Sequence, residues 1–288
     1  MAVMEHATVR NRGLQRFIDA LRDPNRVPLP AHDIAVVVAH PDDETISCGA
    51  QLRRFKDATI IVVTDGAPRN LVDARTHGLA STDSYAAIRS RELCNALALG
   101  RVANRNIITL GISDQMAALR LVDLARTTYR LLAARQIRIV LTHAYEGGHP
   151  DHDATAFAVH AAVALMSRRG EAISILEMPF YRARCHGPVT QSFAPYPGCP
   201  ESTLRLTEPE QSLKRSMIAE YSTQTQTLSP FDLETERFRP APTYDFASLP
   251  NDGRLLYEQY AWGMTGQRWL TLARGALAAL GLGDKRWL

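Results

Sequence analysis

The chain has 288 residues and sets 33 Lys and Arg against 30 Asp and Glu, and the resulting formal charge of +3 is too thin for a nucleic-acid footprint. Its 45% apolar and 22% charged fractions belong to a globular protein, not a disordered or fibrous one, and its length suffices for one large domain with a sizeable core. No stretch approaches the ~20 apolar residues of a membrane span, and Met1 to Gly13 holds charges without an apolar segment, so a cytoplasmic location is expected.

In chain order, a helix is predicted over 13–22. Short β-branched runs follow at 34–39, 59–64, 106–110, 137–142 and 173–178. They are apolar almost throughout, as strands buried on both faces of a parallel sheet must be. Helical patterns separate them. One runs from the end of the first strand to about Phe55. Another covers 83–99, with Tyr85, Ile88, Leu93, Ala96 and Leu97 at helical spacing and Gly100 as its stop. A third covers 114–135, and a fourth starts at Ala154. The alternation predicts a Rossmann-like, doubly wound three-layer α/β domain with a mainly parallel sheet, whose ligands sit beyond the carboxyl ends of the strands.

The proline-rich stretch 179–200 is expected as a long ordered loop, a lid or substrate wall. A helix near 209–221, coil over 228–250 and a closing helical stretch holding Trp262 and Trp269 complete the chain. The expected organisation is one domain over 1–288, with an α/β body at about 30–180 and a loop-rich and helical C-terminal cap at about 180–288 that shapes the substrate site.

Cys48, Cys94, Cys185 and Cys199 show no CxxC spacing, so they form no zinc-ribbon or dense disulfide pattern and are expected mostly as buried thiols. The histidines, by contrast, cluster, with His143, His149 and His152 inside ten residues. Two motifs carry the chemistry. Ala39-His40-Pro41-Asp42-Asp43-Glu44 follows the first strand, where buried charges must be paired or bind metal. A helix N-cap is the other explanation, although a cap needs one Asp and no His. Thr142-His143-Ala-Tyr145-Glu146-Gly-Gly-His149-Pro150-Asp151-His152-Asp153 follows the fourth strand, on the same carboxyl edge. Together they offer what a hydrolytic metal site requires. Two imidazoles and a carboxylate leave a coordination position for water, whose pKa zinc lowers to about 7. A further carboxylate can act as base, and a further His can stabilise an oxyanion. Fe2+ fits the same donors.

The pair His40-Pro-Asp-Asp-Glu44 and His149-Pro-Asp-His152 resembles the signature of the PIG-L/LmbE-like de-N-acetylases. That resemblance implies a Rossmann-like fold and zinc-dependent hydrolysis of an N-acetyl group, usually on an amino sugar. It implies His40, Asp43 and His152 as metal ligands and Asp42 as general base. It makes His149 the group that polarises the carbonyl, with Asp151 as its orienting partner. Thr64-Asp65-Gly66-Ala67, Arg89-Ser-Arg-Glu92 and Gly111-Ile-Ser-Asp114 also resemble family segments, the last implying that Asp114 contacts sugar hydroxyls. The resemblance spans about 34–163, with an echo at Tyr221-Ser-Thr-Gln224. Where some relatives carry a Tyr two residues before the second motif this chain has Gly147, which leaves Tyr145 as the candidate oxyanion contributor.

Arg69 lies on the expected rim, as a substrate contact or a solvated arginine. His143 supports the metal or forms a core hydrogen bond. His160 is read as structural, and Glu44 as support for the helix start or for a ligand. Trp262, Trp269, Tyr257 and Tyr260 could stack on a ligand, but are read as core or subunit-interface packing. The expected partner is an N-acetylated small molecule, with neither nucleic acid nor membrane span, and a homo-oligomer is compatible with the sequence. Three rivals accompany the deacetylase: an amidase for a larger acyl group or a thiol-sugar conjugate, an Fe(II) oxygenase using the same triad, and a non-catalytic carbohydrate-binding protein.

Overall fold

Strands with no polar face need cover on both sides, and the chain supplies it with helices packed against each face of one sheet. The structure, a computed structural model, describes residues 13–283; residues 1–12, and with them nearly all of the charged N-terminal stretch, lie outside the described residues, as do 284–288. Helix α1 covers 13–22 as predicted. It is followed by β1 (Leu29–Pro30), β2 (Ile34–Val38), α2 (Asp43–Cys48), β3 (Phe55–Lys56), β4 (Thr59–Thr64), α3 (Val72–Thr76) and α4 (Thr82–Leu99). Next come β5 (Ile107–Ile112), α5 (Leu121–Ala134), β6 (Ile139–His143), α6 (Pro150–Ser167) and β7 (Ser174–Met178). The remainder holds β8 (Tyr181–Arg184), β9 (Gly187–Thr190), β10 (Ser202–Arg205), α7 (Glu208–Ala219), α8 (Thr225–Leu228), β11 (Thr235–Pro240) and α9 (Gly266–Ala279).

The main sheet has seven strands in the order β10-β11-β7-β6-β2-β4-β5. The run from β7 to β5 is parallel, while β11 and β10 add antiparallel to its edge. This is the expected three-layer α/β fold. Side chains on β2 alternate between two cores: Ala35 and Val37 face a cluster containing α5, α6 and α9, while Ile34, Val36 and Val38 face another containing α1, α4 and α7. The chain leaves β2 for β4 on one side and returns to β6 on the other, so the segments after β2 and β6 meet at the switch point where such folds bind ligands. Among the described residues no helix is long and apolar enough to cross a membrane.

Several local expectations change. Helix α2 stops at Cys48 and a 3-10 turn ends at Gln51, short of Phe55. Helix α5 starts at Leu121 rather than 114, and α6 starts at Pro150, four residues early, because proline suits a first helical turn. The stretch 179–200 is not all loop, since β8 and β9 pair there as a hairpin. Nor is 228–250 all coil: β11 extends the sheet, its burial hidden in the sequence by Glu236 and Arg239, charged residues that reach inward. Trp269 lies in α9 and is buried, but Trp262 precedes that helix. Only Cys48 is a buried thiol; Cys94 and Cys185 are exposed.

Within the C-terminal stretch a buried ion pair joins α7 to β11, and its acid also reaches the body. Lys214 on α7 donates to Glu236 on β11 at 3.0 Å, with both side chains fully buried, and Glu236 also accepts the Ala50 amide at 2.9 Å. Removing one partner strands a charge in the core. Lys214→Met should lower unfolding stability by about 3–5 kcal/mol, and adding Glu236→Leu should recover part of the loss, as urea denaturation would show. An unchanged midpoint in the single variant would contradict the pairing.

Candidate metal centre

Beyond β2 the backbone turns sharply. The Ala39 amide donates to His143 Nε2 at 2.9 Å and the His40 amide to Asp43 Oδ2 at 2.7 Å. Asp42 sits at φ 131°, a region that side chains rarely adopt, and makes no capping bond. Its carboxylate instead takes an ion pair at 2.8 Å from Arg89 of α4, which also bonds the Pro41 carbonyl and Glu92. Capping therefore does not explain the motif. Gly66, at φ +60°, is what admits the guanidinium, since a Cβ there would lie 2.9 Å from both Arg89 Nε and Pro41 Cδ.

His40, Asp43 and His152 converge. His40 Nδ1 lies 3.2 Å from His152 Nε2 and 3.3 Å from Asp43 Oδ2, and His152 Nε2 lies 3.4 Å from Asp43 Oδ1. Donors at 2.0–2.1 Å from a tetrahedral ion stand about 3.3 Å apart, so this buried set fits a divalent cation such as zinc. The other ring nitrogen of His40, Nε2, faces Asp114 Oδ1 at 3.2 Å and Asp151 Oδ2 at 3.5 Å. A carboxylate there fixes the tautomer that leaves Nδ1 free for a metal.

Burial shapes the titration of every group, and neighbours decide the outcome. Desolvation opposes charge on His40, yet Asp114, Asp151 and Asp43 outweigh it and hold its pKa well above the ordinary value. Burial and then His143 bring His152 down to about 3. Burial pushes Asp43 up, but His152 and His143 hold it well below the usual carboxylate range. Asp42 is lifted to about 7 by burial against the pull of Arg89, and Asp151 to about 6 by burial against its bond to His40. His149, lowered by burial and by His40, is a neutral ring.

His149 is the N-cap of α6, and its Nδ1 accepts the Asp151 amide at 3.1 Å, which leaves the ring proton on Nε2. The orienting partner expected from Asp151 is thus its backbone. Its carboxylate accepts the amides of Gln115 at 2.6 Å and Ala117 at 2.9 Å and faces His40. Asp114, expected on sugar hydroxyls, lies against His40 while also lining the pocket. Arg69 pairs with Asp65 at a more exposed position. Tyr145 is not brought to the cluster: its hydroxyl accepts from Trp269 Nε1 at 2.6 Å and donates to the Ser248 carbonyl at 2.9 Å. His143 is buried and stacks on His152 at 4.1 Å between ring centres, and Glu44 accepts the Tyr221 hydroxyl at 2.6 Å.

Three residues not singled out as parts of the site belong to it. Arg89 holds Asp42, and its motif was visible only as a family-like helix segment. Trp262 packs on His149 at 4.4 Å, half-buried, and stacks on Tyr260 at 4.4 Å. Tyr181 packs against His152 at 5.2 Å. With Asp42, His149 and Phe231, these line a pocket of about 240 Å³.

Fold and donor set together define a doubly wound α/β protein with a candidate metal site at its switch point. Residues 35–163 match the family model PIG-L, described as GlcNAc-PI de-N-acetylase. The α/β body is therefore similar to that family's domain. Among solved structures, the chain is similar to a deacetylase of the teicoplanin biosynthesis pathway, with TM-score 0.54, 19% identity and coverage of 72% of this chain and 96% of that one. It is also similar to the A40926 pseudoaglycone deacetylase, with TM-score 0.55, 20% identity and coverage of 73% and 96%. The zinc-inhibited form of a teicoplanin deacetylase gives TM-score 0.52, 18% identity and coverage of 72% and 97%. At these identities the likeness establishes the fold. No curated protein matches the chain.

Two outcomes follow from this geometry. Asp114→Asn should weaken zinc binding by about 10–100-fold while His152→Ala abolishes it, measured by calorimetric titration of the chelator-treated protein; equal affinity in Asp114→Asn would remove Asp114 from the support of His40. The second concerns Glu146, whose Oε1 accepts the Phe180 amide at 3.0 Å and whose pKa burial raises from 4.5 to about 8. The folded state holds this proton more tightly than the unfolded chain, so its contribution is fully present below about 4.5 and drains away as pH rises towards 8. Glu146→Gln keeps the acceptor and removes the loss, so its melting temperature should exceed the parent's at alkaline pH and match it near pH 4. An offset independent of pH would refute this.

Proposed function

We propose that the protein is a zinc-dependent de-N-acetylase acting on an N-acetylated amino sugar or a related N-acetylated small molecule in the cytoplasm. The observation that carries this is the joint presence, in one pocket, of the His40–Asp43–His152 donor set, a carboxylate outside that set on Asp42, and an Nε2–H donor on His149. A bound zinc ion would supply Lewis-acid polarisation of water and amide carbonyl. Asp42, held in place by Arg89, takes the proton from the attacking water and passes it to the departing amine. His149 donates its Nε2–H to the carbonyl oxygen as that atom gains charge, and its ring needs no proton from solvent to do so. Trp262 keeps the imidazole facing the pocket.

The PIG-L description, GlcNAc-PI de-N-acetylase, supports an N-acetyl sugar as the substrate class, and the deacetylases of the teicoplanin pathway and of the A40926 pseudoaglycone support the same reaction type. Asp114, at the edge of the donor set, is the residue best placed to contact a sugar hydroxyl. The test is acetate release from a panel of N-acetylated amino sugars by the zinc-loaded protein. Asp42→Asn should lower kcat by about 10²–10⁴ at unchanged metal content, and His149→Ala by about 10²–10³. Near-normal turnover in Asp42→Asn would defeat the mechanism, and a preference for longer acyl groups would replace the deacetylase by an amidase.

A further inference from the structure

A second cavity, of about 560 Å³ against about 240 Å³ for the metal pocket, lies on the other side of β8. Residues alternate along this strand. Tyr181 lines the metal pocket, whereas Arg182 and Arg184 both line the second cavity. The partition between the two is thin and rigid: a Cβ on Gly148 would lie 2.0 Å from the Tyr181 carbonyl, and Gly147 accepts the Leu256 amide at 2.8 Å.

Arg182 is the unusual residue here. It is 6% exposed, yet no carboxylate lies within 4.0 Å of its guanidinium among the described residues. Its partners are the carbonyls of Ser192 at 3.1 Å and Phe193 at 3.0 Å, with Asn251 Oδ1 at 3.5 Å. Glu146 and Glu201 act on it only through space. A buried guanidinium is costly without a counter-charge, and three bonds leave part of its five-donor fork facing the cavity. Arg184, two residues on, is exposed and makes no side-chain hydrogen bond among the described residues. The other cations are committed. Arg239 bonds Glu177, Tyr244 and Ala194, and Arg254 sits 3.7 Å from Asp252. Of the acids in the lining, Asp245 is held by the Ala247 amide and the Ser248 hydroxyl, and Asp252 stands on the rim.

We propose that this cavity binds a small molecule bearing an oxyanion, a phosphate ester or a carboxylate, with the anionic group on Arg182 and Arg184 and the body against Tyr196, Tyr244 and Pro250. Guanidinium forks match both oxyanions in two-point geometry, and the volume falls within the roughly 300–1,000 Å³ of ligand sites. The site is independent of the metal centre and of the deacetylase mechanism.

Calorimetric titration of the full chain with glucose 6-phosphate, with glucuronate and with neutral glucose tests it. At least one anion should bind saturably at up to about 10 mM while glucose does not. Arg184→Ala, an exposed position that leaves the fold intact, should weaken that anion by about tenfold or more, and Arg182→Gln should abolish binding. Where Arg182→Gln does not fold, Arg184→Ala decides. Asp42→Asn and zinc removal should leave the affinity unchanged. Binding of glucose 6-phosphate alone assigns a phosphate ester, and of glucuronate alone a carboxylate. No binding of either anion, equal binding of glucose, unchanged affinity in Arg184→Ala, or loss on zinc removal would each overturn the proposal.

Discussion

The structure depends on how charge is balanced at one end of a buried sheet. Asp42, Asp43, Asp114 and Asp151 lie within a few ångströms of His40, His143, His149 and His152, and all but Asp114 and His40 are buried. Carboxylates in such a place repel one another and lose their hydration, so each needs a donor, a cation or a proton. The protein meets the need unevenly. Asp151 is bound by backbone amides, Asp114 by His40, and Asp42 by Arg89. Asp43 is left among imidazoles, and a divalent ion fits there as the remaining counter-charge. Electrostatics thus gives the four aspartates different surroundings: one among imidazoles, one on a guanidinium, and two against His40 or backbone amides.

Topology makes this possible. The two histidine-bearing motifs are about a hundred residues apart, yet β2 and β6 are neighbours in the sheet, so both motifs leave its same edge. The third segment, carrying Asp114, arrives after β5 and is pinned to α6 through the Asp151 carboxylate. Behind them, the echo at residues 221–224 acquires a physical meaning. Tyr221 bonds Glu44, Ser222 and Thr223 bond Glu92, and Gln224 bonds Tyr85. These bonds tie the turn after α7 to the helices that hold Asp42 and Arg89. The C-terminal stretch is therefore part of the sheet and of the site's foundation: β10 and β11 extend the sheet, and Trp262 and Phe231 line the pocket.

Much of the fold was legible because it rests on local patterning. The five apolar runs, α4 with its Gly100 stop, and α7 could be read from periodicity and β-branching, for buried parallel strands and amphipathic helices leave those marks in any context. The β8–β9 hairpin and β11 were not, since prolines, glycines and arginines mask their alternation and only pairing with a partner strand makes them regular. That the two motifs would meet was legible too, from their places at the ends of two strands, whereas the choice of His40, Asp43 and His152 came from the resemblance.

By itself the sequence determined the layer architecture and the residue types that meet at the carboxyl edge, because strand and helix periods and the rule that ligands gather at that edge act without knowledge of distant contacts. Only the tertiary structure decided how those residues divide the work. That Arg89 reaches Asp42 past Gly66, that Asp151 orients His149 with its amide and not its carboxylate, that Tyr145 turns away to Trp269, and that Arg182 is buried on the carbonyls of Ser192 and Phe193 all depend on packing that brings these groups together. Such meetings are set by packing directions that no local pattern encodes.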